Sequence, residues 1–197
     1  MSDRVSLRRR LNEIAFQQAG YFTAAQAKTA GYSYQAQNYH VSRGNWVRID
    51  RRIFRLAEWP SSADDVYARW CVWSEGRGVI SHESAAAVHE LGDLDPNLVH
   101  LCLPGSRTSH TGVVLHPDRL ERSDIEDRAS FRVTTPARTL LDLASTHTSQ
   151  EQLTTAVQDA LSAGLVTATT LRRRMDDFGP VAALRLERAL ATEPATT

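Results

Sequence analysis

The sequence has little cysteine, almost no lysine and no long apolar run. Cys71 and Cys102 lie far apart without a CxxC partner, which argues against a disulfide framework or a cysteine-based zinc site, so we interpret both as small core residues. Lys28 is the single lysine and no glutamate lies two residues before it, which excludes an E-x-K nuclease site. No stretch approaches the ~18 apolar residues of a membrane helix, and the N-terminus lacks a signal-peptide core, so we expect a cytoplasmic protein without a membrane partner.

The formal net charge is zero, but it is divided unevenly along the chain. Residues 1–57 contain ten basic and three acidic residues, a net charge of +7, and residues 58–197 contain thirteen basic and twenty acidic residues, a net charge of −7. Such a division predicts two domains with different partners, the basic one facing a polyanion. We therefore predict one domain at residues 1–57 and a second at residues 58–197.

The basic region carries local signals for three helices followed by a hairpin. Apolar residues recur at helical spacing within 6–18, Thr23 and Gln26 have the spacing of a capping box, and Ser33 can cap a third helix. Two short alternating strands, WVRI and IFRL, follow, separated by the short connection DRR. The alternation allows one face of this hairpin to pack on the helices and the other to present Arg48 and Arg55. This order predicts a winged helix-turn-helix.

A winged helix-turn-helix with this charge predicts binding to double-stranded DNA. The third helix has amide and hydroxyl side chains that can reach base edges in the major groove, whereas arginines of the hairpin and of the first helix suit phosphate. The residues predicted to contact DNA are Arg8, Arg9, Arg10, Ser33, Tyr34, Gln35, Gln37, Asn38, His40, Arg43, Arg48, Arg51, Arg52 and Arg55. The alternative is that the same module docks a protein, which the +7 charge disfavours.

The acidic region predicts short strands first and helices afterwards. LVHLCLPG and GVVLH are interpreted as neighbouring strands, and FRVT leads into a helix that begins at Thr135 and Pro136. The C-terminal third is helical in pattern, with stops at Gly164 and Gly179. The fold class predicted for the whole chain is therefore α+β, a winged helix-turn-helix followed by a mixed α/β domain with a helical C-terminus.

Motifs for chemistry are weak, and we predict no enzyme, cofactor or metal site. HESAA at His82 lacks the second histidine of a zincin helix, and the remaining histidines have no carboxylate or cysteine at ligand spacing. Gly105 and Ser106 followed by Asp124 and Glu126 are similar to a nucleotidyltransferase pattern, but the gap is too long and no third acid is evident. We therefore interpret these residues as structural.

Three segments together resemble the AbiEi family of antitoxins from type IV toxin-antitoxin systems. The N-terminal segment is AGYFTAAQAKTAGYSYQAQNYHVSRGNWVRIDRRIFRLAEWP, and the later ones are VISHESAAAVHELGDLDPNLVHLCLP and FRVTTPARTLLDLAS. The resemblance implies a protein that represses its own operon at inverted repeats in the promoter and neutralises a cognate nucleotidyltransferase toxin, directly or indirectly. It also implies DNA contacts by Gln35, Gln37, Asn38 and His40 and by the hairpin arginines. Arg138 and Asp142, in the matched PARTLLDL, have the spacing of an ion pair on one helix, for which we expect a structural role.

Alternatives to the antitoxin stay open on the sequence. The chain could be a stand-alone transcriptional regulator whose second domain senses a ligand or a protein. Similar N-terminal regions also occur in proteins with a C-terminal nuclease-like domain, for which the length of this chain leaves little room. A further and weaker alternative is an enzyme that uses Asp124 and Glu126. The sequence favours the antitoxin over all of these.

Overall fold

The computed structural model describes residues 2–105 and 110–192. The chain is α+β, with one antiparallel and one mixed sheet, so the predicted fold class is confirmed. It divides into two compact units, Met1–Gly78 with Arg128–Phe131, and Val79–Asp127 with Arg132–Thr197. Within the described ranges no helix has the length and apolar character required to cross a membrane.

The first unit has the predicted order of helix, two short helices and a hairpin, with one additional short strand. Its helices are α1 (Ser2–Phe16), α2 (Ala24–Ala30), α3 (Tyr34–Ser42) and α4 (Asp65–Trp73). Its strands are β1 (Tyr21–Thr23), β2 (Trp46–Asp50) and β3 (Ile53–Leu56). They form an antiparallel sheet in the order β1-β3-β2.

Short-range capping interactions set the limits of α2 and α3. Thr23 Oγ1 accepts the Gln26 backbone N–H while the Gln26 side chain accepts the Thr23 N–H, so the predicted capping box is present. Gly31 ends α2 with a φ of 111°, in the left-handed region that favours glycine. Ser33 Oγ accepts the Ala36 N–H at the start of α3. The turn between the two helices is therefore fixed by local chemistry.

The face of the sheet that packs on α1, α2 and α3 is aromatic. Phe22, Trp46 and Phe54 are fully or almost fully buried there with Leu11 and Ala15 of α1. Phe22 meets Trp46 edge to face, with ring centroids 4.8 Å apart. Burying three aromatic side chains supplies most of the apolar contact that holds the hairpin on the helices.

The pairing of the two hairpin strands places Arg48 and Arg55 differently from the prediction. Trp46 pairs with Leu56 and Arg48 with Phe54, so these four side chains lie on the helix-facing side of the sheet, while Val47 pairs with Arg55 on the opposite side. Arg48 and Arg55 therefore lie on opposite faces, and the expectation that one face presents both is wrong. The alternation along each strand was predicted correctly. Which side chains of the two strands share a face depends on the pairing register, and a shift of one position exchanges the faces.

The second face of the sheet is covered by α4 of the same unit. Tyr21 and Ile53 pack with Ala68 and Val72 in a cluster of their own. Arg55 also joins the sheet to this helix, because its guanidinium donates to Asp65 Oδ2. The boundary predicted after residue 57 therefore falls inside the first compact unit, which continues to Gly78.

The second unit has a mixed five-stranded sheet followed by helices. Its strands are β4 (Val79–Ile80), β5 (Val99–Cys102), β6 (Val113–His116), β7 (Ile125–Asp127) and β8 (Arg132–Thr134), in the order β6-β5-β4-β8-β7. Its helices are α5 (His82–Val88), α6 (Pro136–Ser145), α7 (Gln150–Ser162), α8 (Ala168–Met175) and α9 (Pro180–Ala191). Strands β5 and β6 are neighbours, as predicted, and they pair in parallel.

Helix α6 lies at the centre of the second unit. Seven consecutive residues, 138–144, are buried, and Leu140, Leu141 and Leu143 are fully enclosed. Thr135 Oγ1 caps the helix at the Arg138 N–H, with Pro136 in the first turn as predicted. Cys71 in the first unit and Cys102 in the second are both buried and form no disulfide, which agrees with their interpretation as core residues.

Candidate functional site

Helix α3 presents a polar and aromatic surface to solvent. Gln35, Asn38 and Arg43 are exposed, as predicted, and Tyr34 is 61% exposed. Ser33 is exposed too, but its hydroxyl is engaged as the N-cap. Tyr39, 55% exposed, belongs to the same surface although the sequence interpretation missed it. The signal was available, because residues 35, 39 and 42 recur at helical spacing on one side.

Gln37 was predicted to contact DNA, but it lies on the inner side of α3. Its side chain is enclosed, with the residue only 2% exposed. Nε2 donates to Ala24 O and to Tyr32 O, each at 3.1 Å. The amide therefore joins the start of α2 to the turn before α3, so we assign Gln37 a structural role in place of the predicted base contact.

Replacing Gln37 by Ala should destabilise the protein by about 1–3 kcal/mol, because two carbonyl groups lose their donor in a buried place. Thermal unfolding of the full chain measures this. The matched control is Gln35→Ala on the exposed side of the same helix, for which no change in melting temperature is expected. Equal melting temperatures for the two variants would contradict the structural role of Gln37.

His40 was also predicted to contact DNA, and the structure places it against the core. Its ring stacks on Trp46 with centroids 4.7 Å apart and meets Tyr32 edge to face at 5.2 Å. Burial lowers the pKa of His40, so the ring is neutral at pH 7. Nδ1 lies 3.2 Å from Asn45 Nδ2. His40 therefore supports the position of α3 on the hairpin.

The β2–β3 hairpin, residues 46–56, places three arginines beside α3; we call this hairpin the wing. Arg51 and Arg52 form its exposed turn. Arg48 donates from Nη2 to Asn38 Oδ1 at 3.0 Å and from Nη1 to Arg51 O at 3.3 Å. Its guanidinium also lies 4.8 Å from the Phe54 ring centroid. These contacts hold the guanidinium in the space between the helix and the wing.

A cleft of about 420 Å³ separates α3 from the wing. Tyr34 and Asn38 line it on the helix side, and Arg48, Arg51 and Arg52 line it on the wing side. No acidic residue belongs to its lining. The structure thus brings together two groups of predicted DNA contacts in one concave, positively charged place, which we call the basic cleft.

Other predicted arginines lie away from the basic cleft. Arg8, Arg9 and Arg10 are exposed on α1, where Arg9 pairs with Glu13 at 3.0 Å. Arg55 is largely enclosed, with its side chain 14% exposed, and it donates to Asp65 Oδ2 at 2.5 Å and to Pro60 O at 3.0 Å. Its guanidinium also lies over the Tyr21 ring. Arg55 therefore fixes α4 on the sheet, in contrast to the phosphate contact predicted for it.

The second unit contains a buried charge network of two arginines and two aspartates. Arg138 donates from Nε to Asp142 Oδ1 at 2.7 Å, which is the ion pair that the sequence spacing predicts, and from Nη1 to Asp124 Oδ2 at 3.1 Å. Arg174 donates to Asp124 Oδ1 at 2.6 Å. Burial disfavours the charge on Asp124, but the Arg174 hydrogen bond and the two positive charges hold its pKa below the usual value.

The contacts of Asp124 in this network show whether it could hold a metal ion, as the nucleotidyltransferase pattern would require. Both oxygens of Asp124 accept from arginines, and its side chain is 1% exposed, so they are already occupied and not directed at a shared metal ion. Ser106, the other half of that pattern, lies outside the described residues. The structure therefore does not bring Asp124 into a two-metal arrangement.

Three histidines, His82, His100 and His116, meet in the second unit; we call them the histidine cluster. The rings of His82 and His116 are stacked with centroids 3.5 Å apart, and His100 Nδ1 lies 3.1 Å from His116 Nε2. Burial and the two neighbouring histidines lower the pKa of His82 to about 2, and burial with His100 lowers that of His116 to about 4. Burial also lowers the pKa of His100, against the opposing effect of Glu83. All three imidazoles are therefore neutral at pH 7.

Sequence reasoning found no ligand spacing among the histidines and interpreted them as structural, so it did not predict that three of them meet. They come from the start of α5, from β5 and from the end of β6. No spacing along the chain joins them, because strand pairing between residues far apart in sequence creates the cluster. The parallel pairing of β5 with β6, in register Cys102 with His116, places His100 and His116 on neighbouring strands.

Comparisons with known proteins bear on the fold. No protein-family model and no curated protein matches this sequence. Among solved structures, the chain is similar to the crystal structure of the Rv2827c protein from Mycobacterium tuberculosis, with a TM-score of 0.54 and 14% sequence identity. The match covers 97% of this chain and 83% of that chain. At this level of identity the similarity shows a shared fold.

Proposed function

We propose that this protein binds double-stranded DNA with sequence specificity through its first unit. Helix α3 would enter the major groove, and the wing would contact the adjacent phosphates. The single observation that carries the proposal is the basic cleft, in which exposed polar side chains of a helix face three arginines of a hairpin without an acidic residue between them.

The wing and helix α3 carry side chains suited to different contacts with DNA. Arg51 and Arg52 are exposed cations on a tight turn, which suits phosphate contacts that give affinity and strong salt dependence. Gln35 lies in the first turn of α3, where side chains of a recognition helix reach base edges, and an amide can pair with adenine through two hydrogen bonds. Arg48, held by Asn38, joins the two sides.

The finer proposal is an antitoxin that represses its own operon. The resemblance of residues 19–60, 79–104 and 131–145 to AbiEi antitoxins supports it, as does the net charge of +7 in residues 1–57. The proposed partners are inverted repeats in the promoter and a cognate nucleotidyltransferase toxin. On this proposal the protein is not an enzyme, and its second unit serves antitoxicity.

Fluorescence anisotropy with a labelled duplex of the gene's own promoter tests DNA binding. We expect saturable binding that is stronger than binding to a scrambled duplex of equal length and that weakens steeply with salt. Equal affinity for the two duplexes over the whole salt range would reject specific recognition. Absence of binding to either duplex at low salt would reject the DNA function itself.

Gln35→Ala should reduce discrimination between promoter and scrambled DNA by about 1–3 kcal/mol, because a base-edge contact is lost. Affinity for the scrambled duplex should stay the same, since no phosphate contact changes. The matched control is Gln17→Ala, an exposed glutamine in the turn just after α1, for which both affinities should be unchanged. If the two variants behaved alike, Gln35 would not read sequence.

Antitoxicity is tested separately by co-expression with the neighbouring candidate toxin gene. The full chain and a variant with Arg48, Arg51 and Arg52 replaced by Ala are compared. On the antitoxin proposal both rescue growth, because the second unit is unchanged, while only the first represses the promoter. Repression by the full chain without any rescue would instead favour a stand-alone regulator.

A further inference from the structure

We propose that His82, His116 and Asp118 form a binding site for a divalent first-row transition-metal ion, Zn²⁺ in particular. Each of the three offers one ligand atom, and these atoms lie within 4.8 Å of one another. His82 is buried, His116 is half-buried and Asp118 is exposed, so the site has an enclosed base and an open side. Two imidazole nitrogens and a carboxylate oxygen are a ligand set that zinc takes in proteins.

The surroundings of His82 fix which of its nitrogens is available. Nδ1 lies 3.0 Å from Ser81 Oγ and 4.0 Å from Asp142 Oδ2, which leaves Nε2 for an ion. Asp142 Oδ2 is buried and has no hydrogen-bond partner among the described residues, because Arg138 engages Oδ1 on the other side. A carboxylate directed at the second nitrogen of a ligand histidine is the usual support of a protein zinc site.

His116 has an equivalent support. Its Nε2 lies 3.1 Å from His100 Nδ1, and His100 Nε2 lies 3.8 Å from Glu83 Oε2. With the His116 proton on Nε2, the chain from Glu83 through His100 leaves His116 Nδ1 as the free lone pair. Both ligand histidines are thus neutral, and a carboxylate lies near the second nitrogen of each assembly: Asp142 Oδ2 is 4.0 Å from His82 Nδ1, and Glu83 Oε2 is 3.8 Å from His100, which contacts His116.

The backbone near the site provides two further observations. His82 has a φ of 52°, a left-handed conformation that costs a histidine free energy and that concentrates at functional positions. Cys102 Sγ lies 3.1 Å from the Asp118 carbonyl oxygen, which holds the Asp118 backbone beside the end of β5. These contacts position both ends of the proposed ligand set.

Binding requires a rearrangement of the two ligand rings. They are nearly parallel, with planes 13° apart, so their lone pairs run side by side. An ion bound by both needs converging lone pairs at about 2.1 Å from each nitrogen, so the rings must tilt on binding. Three protein ligands leave a fourth tetrahedral position for water or an oxygen ligand, which is the coordination of a reactive zinc site.

The test uses the full chain freed of metal with a chelator and then titrated with Zn²⁺ or Co²⁺ alone. We expect one ion per chain by calorimetry, and d–d absorption of low-symmetry Co²⁺. His116→Gln and Asp118→Asn should each weaken binding at least about 10-fold, and Asp142→Asn should do so by about 10-fold to 100-fold through loss of support. His147→Gln, an exposed histidine outside the cluster, is the control and should bind as the unmodified chain does.

Thermal unfolding of the metal-free variants, followed by circular dichroism, shows whether weaker binding results from loss of a metal ligand or from loss of the folded structure. Asp118 is exposed, so the metal-free Asp118→Asn variant should have the same melting temperature as the unmodified chain. Its Zn²⁺ affinity therefore decides the test even if a variant of a buried residue fails to fold. Absence of stoichiometric Zn²⁺ binding to the folded full chain would overturn the proposal. So would equal Zn²⁺ affinity for Asp118→Asn and His147→Gln.

Discussion

Replacing Arg48, Arg51 and Arg52 together by alanine should weaken promoter binding by roughly 100-fold at about 0.15 M salt. The estimate follows from counterion release, since each lost phosphate contact lowers the slope of log affinity against log salt by about 0.9. The slope itself should therefore fall by about 2 to 3. Discrimination between promoter and scrambled DNA should change little, because phosphate contacts carry no sequence information. Anisotropy titrations over a salt series measure all three quantities.

The matched control removes the same charge elsewhere. Arg119, Arg173 and Arg188 are exposed arginines of the second unit, and their joint replacement by alanine should leave both affinity and slope unchanged. If both triple variants lost affinity equally, net charge alone would explain binding and the basic cleft would not be the interface. An unchanged slope for the wing variant would have the same consequence.

Arg55 is left out of the wing variant for a physical reason. Its guanidinium already makes hydrogen bonds with Asp65, Pro60 and Ala19, and a phosphate would have to replace them. Replacing Arg55 would leave Asp65 without its cation and loosen α4 from the sheet. A loss of DNA affinity in that variant would therefore report on the fold more than on a contact.

Asp124→Ala should destabilise the second unit by about 3–5 kcal/mol, because Arg138 would keep a buried positive charge with one partner fewer. Arg174 would lose its partner as well. For a protein of this size the melting temperature should fall by about 10 °C. Thermal unfolding of the full chain followed by circular dichroism measures the change.

Asp127→Ala is the matched control, only three residues along the chain. Asp127 pairs with Arg122 at 2.6 Å, but both side chains are mostly exposed, so solvent screens the pair and the melting temperature should stay close to that of the unmodified chain. Asp124→Asn keeps the shape of the side chain and one acceptor oxygen, so its melting temperature should lie between those of Asp124→Ala and Asp127→Ala. Equal melting temperatures for Asp124→Ala and Asp127→Ala would show that the network contributes nothing to stability.

Much of the first unit was predictable because its signals are local. The Thr23 capping box, the left-handed Gly31 and the Ser33 cap each involve residues no more than four positions apart, and their geometry depends little on the rest of the fold. The α+β class followed from the same kind of information. The antitoxin function implied by the resemblance to AbiEi antitoxins stays a prediction, and so do the DNA contacts until binding is measured.

The face of the sheet or helix on which an individual side chain lies was less predictable. Alternation along β2 and β3 was clear, but only strand pairing could decide that Arg48 opposes Phe54 and Arg55 opposes Val47. A bulge between Arg48 and Asp50 adds to the difference from an ideal hairpin. On α3, Gln37 carries the same amide as Gln35, yet Gln37 is buried and hydrogen-bonded inside the unit whereas Gln35 is exposed.

The sequence alone determined the order of elements, the positions of the caps and the concentration of positive charge near the wing, because each depends on neighbouring residues or on composition. Tertiary structure decided which arginines share the basic cleft and which fix α4. It also gathered the histidine cluster and Asp142 from α5, β5, β6 and α6. Pairing between distant segments arises from packing and strand register over the whole unit, and no spacing along the chain records it.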